Sequence, residues 1–105
     1  MENNQIQEMQ MLEQNLQNLF MQKQAFQMES AETKSALAEI DKSGDEVFKI
    51  IGQLMVKTDK VKMKEELENK NKIINLRLKT LEKQEEKFSE KAQKLRDELM
   101  KQKEK

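Results

Sequence analysis

The side chains able to do acid–base or nucleophilic chemistry in this chain are carboxylates, amines and a few hydroxyls, because histidine and cysteine are both absent. Twenty Asp and Glu residues are matched by twenty Lys and Arg, so the formal net charge is zero. A carboxylate serves as a general acid or base when burial or a like charge moves its pKa toward neutrality. The pattern here works against that. Glu66 and Lys70, Glu68 and Lys72, Glu90 and Lys94, and Asp97 and Lys101 stand four apart with the acid first. At that spacing opposite charges meet along a solvated helix face, each pair contributing ~0.2–0.5 kcal/mol. No glycine-rich phosphate loop and no metal-ligand spacing occurs. The expectation is therefore no enzyme, with no catalytic, cofactor-binding or metal residues.

What remains is the chemistry of apolar contact. With 105 residues, 35% hydrophobic and 38% charged, the chain has too little apolar mass for a thick globular core. It has no Pro, two Gly and no net charge, a balance that favours long helices over disorder. No apolar run reaches the ~20 residues that span a bilayer. The start, MENNQIQEMQ, lacks the basic and apolar stretches of a secretory signal. A cytoplasmic location and no membrane partner are expected. Charge is uneven along the chain: the first 28 residues hold Glu2, Glu8 and Glu13 against Lys23, and the stretch from Lys57 is net basic. The one aromatic residue of that later stretch, Phe88, belongs to the helical seam and leaves no platform on which bases stack, so no nucleic-acid partner is expected.

Two helical seams position the apolar residues. From Met9, steps of three and four run through Leu12, Leu16, Leu19, Lys23, Phe26, Ser30, Thr33, Leu37 and Ile40, a heptad seam with polar interruptions. This predicts a helix over 4–41, ending in the breaker cluster Asp41-Lys42-Ser43-Gly44-Asp45. In the second seam Leu67, Ile74, Leu81, Phe88 and Leu95 recur every seven residues, with Asn71, Leu78, Glu85, Ala92 and Leu99 between them. It predicts a helix over 59–103 capped by Thr58 or Asp59.

Between the helices lies EVFKIIGQLMVKT, apolar and β-branched on either side of Gly52-Gln53. It reads as a β-hairpin over 46–57 with Gly52 at the positive-φ position of a type II′ turn. The competing reading, a buried stretch of continuous helix, conflicts with Gly52 and with the break at Ser43-Gly44. The fold class is thus mainly α: a single domain, 1–105, forming a long antiparallel two-helix coiled coil with an intervening β-hairpin. Pairing the seams places Thr33 near Asn71 and Lys23 near Glu85, either as register-fixing polar layers or as side chains reaching to water.

The hairpin is greasy on both faces through Val47, Phe48, Ile50, Ile51, Leu54, Met55 and Val56, and two strands alone are marginal in water with unpaired edges. Hairpins of several subunits are expected to join edge to edge into an oligomeric β-barrel, with those seven residues as the interface. Ile6, Met11, Phe20, Met21, Met28, Ile73, Leu76 and Met100 lie off the seams. Exposed apolar groups in such number suggest a binding surface, and methionine adapts to varied partners, while for Phe20, Met21 and Met28 packing against a neighbouring subunit or drift of the seam is the competing reading. Ile6, Met9, Met11, Leu12, Leu16, Leu95, Leu99 and Met100, near the two chain ends, are the binding candidates.

The order helix, hairpin, helix, with EVFKIIGQLMVKT in the middle and LRLKTLEKQEEKFSEKAQKL later on, resembles the archaeal prefoldin β subunits and their eukaryotic relatives over nearly the whole chain. The resemblance implies a chaperone subunit that works without ATP. It further implies a heterohexamer of prefoldin α-type subunits and further copies of this chain, with unfolded client proteins held at the arm tips and passed to a group II chaperonin. The alternative is a structural, self-assembling coiled-coil protein that binds no client. That alternative shares the seams but leaves the hairpin unexplained.

Overall fold

The computed structural model describes residues 2–104, with side chains from 4 to 102. The elements follow in the order α1 (Glu2–Lys42), β1 (Glu46–Ile51), β2 (Leu54–Asp59) and α2 (Lys60–Glu104). Helix α1 is thus somewhat longer than its expected span, α2 keeps its expected length but starts and ends one residue later, and the hairpin extends to Asp59. Residues 1 and 105 of the expected single domain lie outside the described residues. At ~1.5 Å per residue, α1 and α2 would measure ~62 and ~68 Å. The chain divides into two compact units: a terminal unit that runs as far as Ala25 and resumes at Leu78, and a hairpin unit, Phe26–Arg77.

Within each unit the helices run antiparallel and bury their heptad positions. In the terminal unit Leu12, Ala92 and Leu95 form a buried cluster against which Met9, Leu16, Phe88 and Leu99 pack, and Leu19 and Leu81 are buried as well. Full burial of a Leu side chain is worth ~1.5–3 kcal/mol, so these leucines are what holds two otherwise polar helices together. Lys23 Nζ lies 3.3 Å from Glu85 Oε1, on side chains that keep about a quarter of their surface. The expected neighbours on the seam thus do meet, as a half-covered ion pair whose value is register more than stability.

In the hairpin unit Ile40, Leu67 and Ile74 are buried together with two hydroxyl residues, Ser30 and Thr33. The polar layer differs from the expected one. Thr33 Oγ1 donates to Glu29 O, one turn back, at 2.8 Å, and it is Ser30 Oγ that donates, over a long 3.5 Å, to Asn71 Oδ1. A buried Thr satisfies itself locally by bonding the i−4 carbonyl, which leaves Asn71 to the next seam residue along α1.

The junction between helices and strands is built from named caps. The α1 terminus is closed by Ser43, whose N–H and Oγ both donate to Ile40 O at 3.1 and 2.8 Å. Lys60 Nζ donates to Ser43 O at 3.1 Å and to Asp41 O at 3.4 Å, placing a cation where the helix dipole is negative. Lys60 N donates to Asp45 O at 3.0 Å. Of the two candidate caps for α2, Asp59 serves: its Oδ1 accepts from Lys62 N at 2.7 Å, which satisfies one of the orphan amides of the first turn. Asp59 is also the last residue of β2, paired with Glu46, so strand hands over directly to helix.

Two outcomes follow from these contacts. Asp59→Ala should lower unfolding stability by about 1 kcal/mol while Asp59→Asn keeps most of it; urea titrations in which the two variants match would refute the cap. The second concerns Asp41, whose carboxylate is held below its ordinary pKa first by the hydrogen bond from Lys64 Nζ at 2.9 Å and then by that ammonium's charge. A lowered folded pKa means stability present above the unfolded value of about 4 and lost as pH falls through the folded one. Asp41→Asn should therefore be less stable than wild type at neutral pH, with the gap closing below about pH 4 and shrinking in high salt. A gap unchanged by acid would remove the pair from the account.

Candidate functional site

Both candidate surfaces are apolar, and the hairpin carries the first. β1 and β2 pair antiparallel in the register Ile51↔Leu54, Ile50↔Met55, Lys49↔Val56, Phe48↔Lys57, Val47↔Thr58 and Glu46↔Asp59. The reversal takes two residues. Gly52 has φ of 60° and no other described residue has positive φ, which rules out a type I′ turn and fits II′. Any side chain at Gly52 would be strained there even though the space around it is open.

Alternation then sorts the hairpin into two faces. Phe48, Ile50 and Met55 share one with the ion pair of Lys57 and Glu46 at 2.9 Å; all three apolar residues are exposed, Ile50 at 71%. Val47, Lys49, Ile51, Leu54, Val56 and Thr58 share the other. On that second face Val47 and Thr58 are half-covered, and Lys49 Nζ reaches Glu66 Oε2 on α2 at 2.8 Å. Toward the turn, however, Ile51, Leu54 and Val56 are open to solvent, Leu54 at 69%. Among the described residues the sheet has two strands, so each keeps an outer row of unpaired amides and carbonyls. Such a sheet can add strands at both edges and bury side chains on both faces.

Sequence reasoning missed one exposed apolar residue that follows the hairpin in the chain. Val61, in the first turn of α2, is 77% exposed. It stands off the seam directly after β2, and its position beside the strand end was the signal that could have found it.

The terminal unit carries the second surface, and the candidates separate by burial. Ile6, Met11 and Met100 are exposed; Met9, Leu16 and Leu99 are half-buried; Leu12 and Leu95 are 7% exposed each and belong to the core. The last two occupy seam positions, so the contact that closes the helix pair consumes them. The off-seam Phe20 and Met21 are exposed in this unit as well, and Met28, Ile73 and Leu76 are exposed in the hairpin unit.

Nothing in the geometry gathers reactive groups. An open cavity of about 480 Å³ in the hairpin unit lies beside Phe26, Ile73 and Ile74, with the Arg77 guanidinium over the Phe26 ring at 5.7 Å. Its two carboxylates are engaged, Glu29 with Lys70 at 3.5 Å and Glu66 with Lys49 at 2.8 Å. Among the described residues no group of three or more His, Cys, Asp or Glu could hold a metal ion. No helix of the described residues is long and apolar enough to cross a membrane.

Comparison with known proteins gives this arrangement a family. Residues 3–105 match the family described as Prefoldin subunit. The prefoldin subunit beta of Thermococcus onnurineus is 46% identical over 85 residues, covering 79% of this chain and 73% of that protein. The prefoldin subunit beta of Methanothrix thermoacetophila is 38% identical over 98 residues, covering 91% and 82%. The crystal structure of the prefoldin beta subunit from Thermococcus strain KS-1 superposes with a TM-score of 0.86 at 37% identity, over 94% of this chain and 89% of that one. Two long helices joined by an uncovered hairpin, matched in sequence and structure to archaeal beta subunits, place the chain in the prefoldin family of non-catalytic chaperone subunits, which assemble with other prefoldin subunits.

Proposed function

We propose that this chain is an ATP-independent holdase subunit of a cytoplasmic prefoldin heterohexamer, in which its hairpin joins those of further copies and of α-type subunits in a shared β-barrel. The terminal units capture unfolded proteins and release them to a group II chaperonin. The observation that carries this reading is that each unit exposes an apolar surface and the two surfaces differ in chemistry. The hairpin offers ordered strand edges and β-branched side chains, suited to a fixed, self-complementary contact. The terminal unit offers isolated apolar side chains among polar ones, several of them unbranched thioethers that adapt to partners of no fixed shape. Ile6, Met11 and Met100 make the first contact with a client. Met9, Leu16 and Leu99 add area at their margins, and Leu12 and Leu95 position the others by holding the helices together.

The two surfaces should fail separately. Ile50→Asp with Leu54→Asp puts a charge on each hairpin face and should abolish the native complex with an α-type partner, read by native mass. Met11→Gln with Met100→Gln should leave that mass unchanged and weaken suppression of the aggregation of a denatured protein by roughly three- to ten-fold, the effect of ~0.7–1.4 kcal/mol. A terminal variant that suppresses aggregation as well as wild type would remove client capture from those residues. A wild-type complex that assembles yet suppresses nothing would leave a structural coiled-coil protein as the reading.

A further inference from the structure

We infer that Met11, Met21 and Met100 are a modification site: peroxide converts them to sulfoxides and thereby switches off the terminal surface for unfolded clients. This rests on the client-capture reading given above. Among the described residues the terminal unit exposes five large apolar side chains, Ile6, Met11, Phe20, Met21 and Met100. Three of the five are thioethers. In the hairpin unit two of ten are, Met28 and Met55, so sulfur is concentrated where clients are held and is sparse where subunits join.

Exposure and the lack of any competing thiol make these three sulfurs targets. Met11, Met21 and Met100 are exposed by 64%, 61% and 64%, whereas Met9 and Met63 are half-covered. The chain has no cysteine, so within it peroxide meets thioethers first. A sulfur lone pair attacks one peroxide oxygen, the O–O bond breaks and an S–O bond forms; sulfur gives up two electrons and the remaining hydroxide takes a proton to leave as water. Each event consumes one hydrogen peroxide and yields one sulfoxide and one water.

The product is polar where the thioether was apolar, which removes the contact that unfolded chains seek. The buried core of the terminal unit, Leu12, Leu19, Leu81, Ala92 and Leu95, contains no methionine. Of the described methionines Met9 alone packs at the margin of that core, half-covered, so oxidation of the exposed sulfurs changes what the surface binds before it reaches the contact that holds the helices together.

The test treats the assembled complex with dilute hydrogen peroxide and follows sulfoxide by peptide mapping, helicity by circular dichroism, and aggregation of a denatured protein. Sulfoxide should accumulate on Met11, Met21 and Met100 several-fold faster than on Met9. Treated capacity should fall to roughly a third or less of untreated capacity at unchanged helicity and subunit stoichiometry, a loss of about 0.7 kcal/mol or more. In Met11→Leu/Met21→Leu/Met100→Leu the ratio of treated to untreated capacity should stay near one, whatever its starting value. Full conversion with undiminished capacity, or an equal fall in the leucine variant, overturns the inference and leaves client capture standing. An untreated complex that holds no client overturns both.

Discussion

Everything in this chain answers to a hairpin that a single copy cannot cover. Two strands of six residues bring Phe48, Ile50 and Met55 to one face and Ile51, Leu54 and Val56 to the other, all exposed, with an unpaired row of backbone groups at each edge. The helices can shield one end of one face, through Val47, Thr58 and the Lys49–Glu66 contact, and no more. A two-residue turn locks the register, because Gly52 alone supplies the positive φ it needs. The strands are thus well specified and poorly covered, a combination that makes sense in a subunit and none in a free-standing monomer.

The helices solve a different problem with the opposite economy. Their composition is mostly polar, and the apolar seam is one residue wide on each, interrupted by Lys23, Ser30 and Thr33 on α1 and by Asn71 and Glu85 on α2. Those interruptions are met by partners across the seam or one turn away, Lys23 by Glu85 and Asn71 by Ser30, Thr33 by Glu29 O. The seam buries enough to hold each unit and leaves the remaining apolar side chains outward. Burial and exposure thereby fall to different residues of the same helices, so the exposed apolar side chains can be contacted without unpacking the fold.

Much of this was legible in the sequence, and the parts that were not have physical causes. Steps of three and four locate both seams, and β-branched residues around Gly52 locate the hairpin and its turn type. The reading went astray where one residue can satisfy itself in two ways: Thr33 bonded back to its own helix, and Asn71 fell to Ser30. Boundaries moved because Asp59 ends a strand and caps a helix at once, which propensity cannot express. Periodicity puts Leu12 and Leu95 on the seam and nearness to the chain ends puts them among the binding candidates; the structure buries both in the helix contact, a distinction that depends on packing and not on spacing. Val61 lies off the seam in the first turn of α2, so neither the heptad spacing nor the strand alternation singles it out.

The central claim is that residues 46–59 are sheet covered by neighbouring subunits in the native complex. Amide hydrogen exchange of that complex tests it directly. The account predicts slow exchange along both β1 and β2, including the amides on their outer edges, as strongly protected as the buried helix seam. Outer-edge amides that exchange at the rate of an open peptide while the complex stays intact would contradict it.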